Sequence, residues 1–504
     1  MTKSVLDYLE DAAGCFPEKE AYVDQKESVT YRELFRQAKV RAGAVLGKKS
    51  CKRVPIVVFL DKTVQAVITF MGVACSGNIY VPFDVHAPVE RLNLIMDVLE
   101  PELVITDREF YRKAAMLHIK PEQILCIEDM ESGETKEELL QDIAAQILDT
   151  DPLYIVCTSG STGVPKGVVI SHRAVMDFVE ESSETMKLSE REVFAGQAPF
   201  YFDASVPDLY CTLRNKATLH ILPQEMFRFP VQALAYIRDH GVNAIYWVPS
   251  ALILTANLRA LGEVDISCLK KVMFCGEVMP VKQLNQWRKY LPDAVYVNYY
   301  GPSETTYAST YYIVDREFSE EETLPIGKPA VNTGILILNE KDRPVEGEEL
   351  GELCIKGSGL ASGYYNNPEK TKEAFVQNPL NKAYPEIIYR TGDLVRYNRF
   401  GEIEYVCRKD FQIKHMGYRI ELGEIEAAAM SMPGIRRCCC LYKEKRRQIV
   451  LIYEAAAPSE KVKQYLQQKL PEYMTPAVYI KEESIPMNAN GKTDRVALKK
   501  KYAE

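Results

Sequence analysis

The chain has 504 residues, 47% hydrophobic and 26% charged, which is ordinary for a globular protein able to bury a large core without disulfides or a structural metal. Its net charge of −8, with acids and bases interspersed, argues against a nucleic-acid binder driven by phosphate attraction, and the basic runs at 443–447 and 499–501 read as short solvated faces. The 13 cysteines contain no Cys-x-x-Cys pair, and Cys438, Cys439 and Cys440 are adjacent, so neither a zinc site nor a disulfide framework is expected. In chain order, residues 1–16 read as an amphipathic helix and not a signal peptide. No run reaches the roughly 18 apolar residues a membrane span needs. With its free thiols, the chain is expected in the cytoplasm, with no membrane insertion.

Residues 54–60 form a β-branched run, 63–73 have helical spacing, 79–83 read as a strand, 89–99 as a helix and 103–106 as a strand. Further strands are expected at 244–248, 272–275 and 294–297, separated by helices that include 281–290. This alternation predicts an α/β core with substantial parallel sheet, in which ligands gather beyond the strand carboxyl ends. From about residue 325 short strands follow one another at 334–338, 352–356, 394–397 and 402–406, which predicts a β-rich part over about 325–409. Beyond it, a helix at 422–432, strands at 438–442 and 449–453 and a helix at 460–469 predict a small α+β domain. The expected organisation is therefore a large domain over 1–409 and a small one over 410–504.

The most informative stretch is Thr158, Ser159, Gly160, Ser161, Thr162, Gly163, Val164, Pro165, Lys166, Gly167, between apolar runs at 153–157 and 168–170. That context reads as strand, loop, strand. Glycines let backbone N–H groups turn toward an anion, hydroxyls add donors and lysine adds charge, so the loop is suited to holding phosphates. It is not the Walker pattern, which places Gly-Lys-Ser/Thr four residues after a glycine. Further segments, in chain order, are Val29-Thr30-Tyr31-Arg32-Glu33-Leu34, Gly77-Asn78-Ile79-Tyr80-Val81-Pro82-Phe83-Asp84, Asn298-Tyr299-Tyr300-Gly301-Pro302-Ser303-Glu304-Thr305, Tyr389-Arg390-Thr391-Gly392-Asp393, Arg408-Lys409-Asp410-Phe411-Gln412-Ile413-Lys414, Gly417-Tyr418-Arg419 and Asn490-Gly491-Lys492-Thr493-Asp494-Arg495. In this order they resemble the motifs of the adenylate-forming superfamily of acyl-CoA synthetases, luciferases and adenylation domains. Within it, the chain looks like an amino-acid adenylation enzyme similar to D-alanine–carrier protein ligases and to the adenylation domains of nonribosomal peptide synthetases.

The resemblance implies attack of a carboxylate on the α-phosphorus of ATP, release of pyrophosphate, and transfer of the acyl group to a thiol. Both reacting groups of the first step are anions, so the work is charge neutralisation and alignment. It implies Lys492 as the main cation against the α-phosphate and the substrate carboxylate, helped by Lys166, with Glu304 holding Mg²⁺. ATP would be held by Thr158, Ser159, Gly160, Ser161, Thr162, Gly163 and Lys166 of the loop, by Gly276 and Glu277 on the adenine side, and by Asn298, Tyr300, Gly301 and Ser303. Asp393 would accept the two ribose hydroxyls, with Arg408 reaching the ribose or a phosphate. Asp203 would pair the substrate α-ammonium, a need that fatty-acid members lack. The side-chain pocket carried over from the family is Ala204, Pro207, Tyr246, Met273, Cys275, Tyr299, Tyr307 and Ala308, together with Lys492. Three tyrosines and a methionine favour a small amino acid, and Cys275 favours D-alanine, although phenols can equally bond a polar substrate.

Asp410 matches the family's hinge and Gly417 the glycine beside which the thiol arrives once the small domain has rotated. The chain stops nine residues after Arg495, so a stand-alone ligase charging a separate phosphopantetheinylated carrier protein is expected. Two other readings stay open: an acyl- or aryl-CoA ligase with the same ATP chemistry, and a nucleotide-binding regulatory protein without catalysis.

Overall fold

The computed structural model describes residues 2–49, 51–130, 136–160, 164–487 and 493–502. Two large twisted sheets organise the first 330 residues. The first has nine strands in the order Lys328–Pro329, Thr310–Ile313, Val295–Tyr300, Lys271–Phe274, Ala244–Trp247, Val193–Gly196, Thr218–Ile221, Glu20–Val23, Ser28–Thr30. Its six central strands are parallel, and antiparallel strands close both edges. The second has seven strands in the order Gly363–Tyr364, Lys166–Ser171, Pro152–Thr158, Ile79–Pro82, Pro55–Phe59, Leu103–Thr106, Ile124–Cys126.

Period-two alternation builds the layers around these sheets. Ile56 and Val58 face the core shared with the first sheet, while Val57 and Phe59 face the other way onto the Val89–Leu99 helix. In the first sheet Tyr246 and Met273 point to the shared core, whereas Ile245, Trp247, Val272 and Phe274 pack on the outer helices Pro230–Asp239, Pro249–Asn257 and Val281–Tyr290. Between the sheets lie the helices Val5–Cys15, Tyr31–Lys48, Val64–Cys75, His172–Thr185 and Val206–Asn215. Polar ties cross this layer. The Tyr80 and Tyr210 hydroxyls share a hydrogen bond of 2.7 Å. Lys62, just past a strand of the second sheet, donates to the carbonyls of Gly196, Gln197 and Leu222 at the carboxyl ends of two strands of the first, at 2.9 to 3.1 Å. Burial favours the neutral forms of both Lys62 and its neighbour Asp208.

The β-rich part is an antiparallel five-stranded sheet built on the long Ile387–Tyr397 strand, with Gly351–Gly357, Thr333–Leu338, Phe375–Gln377 and Ile403–Arg408. It is less separate than the sequence predicts, because Lys328–Pro329 and Gly363–Tyr364 leave it to edge the first and second sheets. After it come the hairpin Gln412–His415 with Tyr418–Glu421, and a three-stranded sheet of Ile435–Lys443, Gln448–Ala455 and Val478–Lys481 covered by the helices Leu422–Met430 and Ser459–Lys469. No helix among the described residues is long and apolar enough to cross a membrane.

One buried imidazole couples this fold to pH. The Val5 amide, at the start of the N-terminal helix, donates to Nδ1 of His172 at 3.4 Å, which requires a neutral ring. Burial lowers the His172 pKa from 6.5 to about 4. Between those two values the unfolded chain takes a proton that the folded chain refuses. Stability should therefore fall as pH drops through this window, by up to about 1.4 kcal/mol per pH unit from this group. Urea titrations at pH 6.5 and 4.5 check it: His172→Asn should flatten the dependence by one proton, and an unchanged slope would contradict the assignment.

Candidate active site

The ends of several parallel strands converge where the two large sheets meet the C-terminal hairpin. From the second sheet comes the turn after Pro152–Thr158, which pairs antiparallel with Lys166–Ser171 so that Thr158 faces Lys166 across the loop. From the first sheet come the segments after Val193–Gly196, Ala244–Trp247, Lys271–Phe274 and Val295–Tyr300, carrying Asp203, Val248, Glu277 and Glu304. Ser161, Thr162, Gly163 and Lys492 lie outside the described residues. Of the rest of the loop, Thr158 and Ser159 are buried, and among the described residues the Thr158 hydroxyl has no hydrogen-bond partner. A Cβ at Gly160 would stand 2.0 Å from the Val164 carbonyl oxygen, so the loop path admits only glycine there.

Glu304 is fully buried. The Tyr364 hydroxyl donates to its Oε1 at 2.7 Å, and Arg419 of the C-terminal hairpin forms an ion pair with its Oε2. Burial pushes the Glu304 carboxyl up, but Arg419 and Lys166 outweigh it and hold the pKa at about 2. Burial alone would lower the Arg419 pKa; Glu304 beside it raises it well above the ordinary value. Lys166 has its Nζ 5.0 Å from the Tyr364 ring centroid and is pulled down, first by burial and then by the Arg419 charge. The hairpin also seals Ser159, whose hydroxyl donates to the Arg419 carbonyl at 2.9 Å and accepts from the Glu421 amide at 3.1 Å.

On the opposite wall, Glu277 accepts from the Gly417 amide and pairs with Arg447 in the turn that follows Ile435–Lys443. Gly417 has φ +83°, which favours glycine, and a Cβ there would crowd Val248 Cγ1 at 3.0 Å. Arg91–Glu424 and Lys469–Glu90 add ion pairs between the same two parts of the chain. Arg408 donates to Asp393 at 2.9 Å and forks onto both oxygens of Asp410 at 2.6 and 2.7 Å, while the Tyr300 hydroxyl donates to Asp393. Asn298 donates to the Pro325 carbonyl at 2.8 Å, and its side-chain oxygen can still accept a hydrogen bond. Gly276 has φ +100° at the turn before Glu277, and Gly301 packs so tightly that a Cβ would meet the Tyr307 carbonyl oxygen at 2.6 Å.

Asp203 opens the Asp203–Ser205 turn ahead of the Val206–Asn215 helix. Burial raises its pKa; the Ser303 hydroxyl pulls it back in part, and the Glu304 charge raises it further. Among the described residues it makes no ion pair. Next to it the structure gathers Pro207, Tyr246, Met273, Cys275, Tyr299, Tyr307 and Ala308 in the shared core, with Ala204 packed against them. Tyr246 and Tyr299 keep 2% of their surface, Tyr307 and Cys275 4%. Sequence reasoning missed Phe178 and Ser182 of the His172–Thr185 helix. The Phe178 ring lies 5.1 Å from Tyr307 and 6.1 Å from Tyr299. Ser182 bonds both the Tyr246 and Tyr299 hydroxyls, at 2.8 and 3.0 Å. It sits in the run Glu180-Glu181-Ser182-Ser183-Glu184-Thr185, which reads as a solvated face although 181–183 are buried. Tyr364, Arg419 and Arg447 were also missed as partners; only Arg419 stood within a recognised motif. A separate cavity of about 90 Å³, lined by Asp61, Lys62, Asp84, Tyr201 and Glu225, lies beyond neighbouring strand ends.

Residues 9–365 match the AMP-binding enzyme family, and the chain belongs to that family of adenylate-forming ligases. It is 30% identical over 514 residues to zwittermicin A synthase ZmaJ of Bacillus cereus, a match that covers 99% of this chain and 95% of that one. It is 31% identical over 502 residues to tyrocidine synthase 1 of Brevibacillus parabrevis, covering 98% of this chain but 45% of the relative. The chain thus spans less than half of that relative, and 14% of surfactin synthase subunit 1 of Bacillus subtilis. The fold is shared with the Vibrio cholerae adenylation domain AlmE, in complex with glycyl-adenosine-5′-phosphate (TM-score 0.84, 20% identity, 100% and 98% of the two chains). It is shared too with PA1221, a nonribosomal peptide synthetase protein with adenylation and PCP domains (TM-score 0.82, 23% identity, 99% and 84%).

Because Glu304 is charged and sealed, its partner matters more than its own volume. Arg419→Leu should destabilise the protein by about 3–5 kcal/mol, the usual cost of leaving a buried charge unpaired. Arg419→Leu combined with Glu304→Leu should recover most of that loss in urea denaturation; equal stabilities of the single and double variants would contradict the pairing.

Proposed function

We propose that this protein activates a small amino acid, with D-alanine the favoured candidate, as its aminoacyl adenylate and passes the acyl group to the phosphopantetheine thiol of a separate carrier protein. The observation that carries the reading is Asp203: a half-buried carboxylate without an ion-pair partner among the described residues, beside a cluster of buried tyrosines. An ionised carboxylate in such a place is costly, and an α-ammonium group supplies the missing charge. A fatty or aryl acid offers no such group. Two structural relatives support a small substrate: AlmE in complex with glycyl-adenosine-5′-phosphate, and AB3403, a four-domain nonribosomal peptide synthetase bound to AMP and glycine.

In the first step a substrate carboxylate oxygen attacks the α-phosphorus of ATP, and pyrophosphate leaves. Lys492 is assigned the cation between the two anions on its motif. Thr158 and Lys166 supply a hydroxyl and a charge at the base of the phosphate loop, Asp393 and Arg408 the ribose end, and Asn298 and Tyr300 the adenine side. Mg²⁺ would neutralise phosphate charge. Glu304 fits it as a single carboxylate beside phosphate oxygens, but only with Arg419 withdrawn, since both its oxygens are otherwise engaged. In the second step the thiolate attacks the acyl carbon and AMP leaves. Gly417 against Val248 and Glu277 is the arrangement we assign to this step. Residues 410–504 are proposed to move about Asp410, whose carboxylate holds the Arg408 fork.

Two measurements test this. Asp203→Asn should lower kcat/KM for the amino acid in ATP–pyrophosphate exchange by about 10²–10³, chiefly through KM, in line with the loss of a buried charge pair. Full exchange by this variant, or exchange driven by fatty acids alone, would refute the reading. Gly417→Ala should cut carrier charging about tenfold or more while exchange persists, because its methyl intrudes on Val248 and its backbone is left-handed. Equal loss of both half-reactions would remove Gly417 from the second step.

A further inference from the structure

The two phenols at the back of the pocket are not free to serve a substrate. Tyr246 stands on the Ala244–Trp247 strand and Tyr299 on Val295–Tyr300, with ring centroids 6.4 Å apart. Both hydroxyls converge on Ser182, at 2.8 and 3.0 Å. The Tyr246 hydroxyl also lies 3.8 Å from the Cys211 sulfur on the Val206–Asn215 helix. A hydroxyl has one proton to give. These distances accommodate one directed chain, Tyr299 to Ser182 to Tyr246 to Cys211, in which all three hydroxyl protons are used. The chain is anchored in the helical layer between the sheets, so both rings are fixed by their hydroxyl ends. Phe178 and Tyr307 pack edge-on beside them.

We infer that Ser182 is a specificity-determining residue, which holds the Tyr246 and Tyr299 hydroxyls away from the substrate so that the pocket selects a small amino acid whose side chain makes no hydrogen bond. The inference rests on the amino-acid reading of the site and narrows its substrate class. Ser182 does not touch the substrate; it is a positioning residue acting through the two tyrosines. A substrate hydroxyl meeting these two rings would lose its water and find neither phenol proton free to donate, which disfavours it against a methyl group of the same size.

Serine and 2-aminobutyrate make the test, since their side chains differ only in a hydroxyl against a methyl. In ATP–pyrophosphate exchange the wild type should favour 2-aminobutyrate over serine by tenfold or more in kcat/KM, with alanine and glycine also accepted. Ser182→Ala releases the Tyr246 and Tyr299 hydroxyls and should shrink that ratio at least tenfold, with the KM for ATP unchanged. In the Tyr246→Phe, Tyr299→Phe background, Ser182→Ala should no longer move the ratio, which separates hydroxyl control from a packing defect. A wild type that uses serine as well as 2-aminobutyrate overturns the inference. So does a ratio that Ser182→Ala leaves within twofold, undetectable turnover of both substrates included. Absence of exchange with every amino acid would instead sink the amino-acid reading itself.

Discussion

The ion pair between Arg419 and Glu304 joins two parts of the chain that are 115 residues apart and otherwise have separate cores. Neither side chain tolerates its position alone. Glu304 closes the end of a central strand of the first sheet and is wholly buried, and Arg419 comes from a hairpin whose own sheet has two strands. Two buried charges recover their lost hydration only through close mutual contact and further hydrogen bonds. Tyr364 supplies one of these, and it arrives on the strand that the β-rich part lends to the second sheet. Three separately built units are therefore present at one carboxylate. The Arg447–Glu277 and Arg91–Glu424 pairs repeat the same logic at the margins of the contact.

Beneath this contact the floor of the site is held by different means. Lys62 gathers three strand-end carbonyls, and tyrosine hydroxyls bridge the helical layer. A parallel strand end presents carbonyls with no successor in the ladder, and the half-buried Lys62 side chain satisfies three of them. This leaves a rigid base under loops and a hairpin that are attached chiefly through side chains. Such a division suits a site whose chemistry, as proposed, proceeds in two steps with different groups in attendance.

Much of this was legible in the sequence. The strands near 54–60, 79–83, 103–106 and 244–248 and the helices near 89–99 and 281–290 are found within a residue or two, because β-branched runs and helical spacing are local signals. The strand–loop–strand reading around 153–170 holds for its flanks, where Pro152–Thr158 pairs antiparallel with Lys166–Ser171, as the apolar runs imply. The strand-like ends at 328–329 and 363–364 were unreadable, since two residues carry no periodicity and their partners lie far away in sequence. Ser182 was invisible for a different reason: an acidic, hydroxyl-rich helical run looks solvated, and only the tyrosines of a distant sheet turn one of its serines inward. Arg419 was visible as a motif, but its partner Glu304 lies 115 residues away, and a pairing at that separation leaves no local trace in the sequence.

The hairpin's seat in the cleft also carries its own clock. The Gly417 amide is held by Glu277 and the Glu421 amide by Ser159, both side chains of the large sheets and not of the hairpin's own ladder. Lifting of the hairpin would break both bonds and open those two protons to solvent deuterium together, whereas ladder amides such as those of the Gln448–Ala455 strand wait for their own sheet to open. The molecule thus labels its own undocking, two backbone positions at a time, in a quantity that needs neither nucleotide nor turnover to be read.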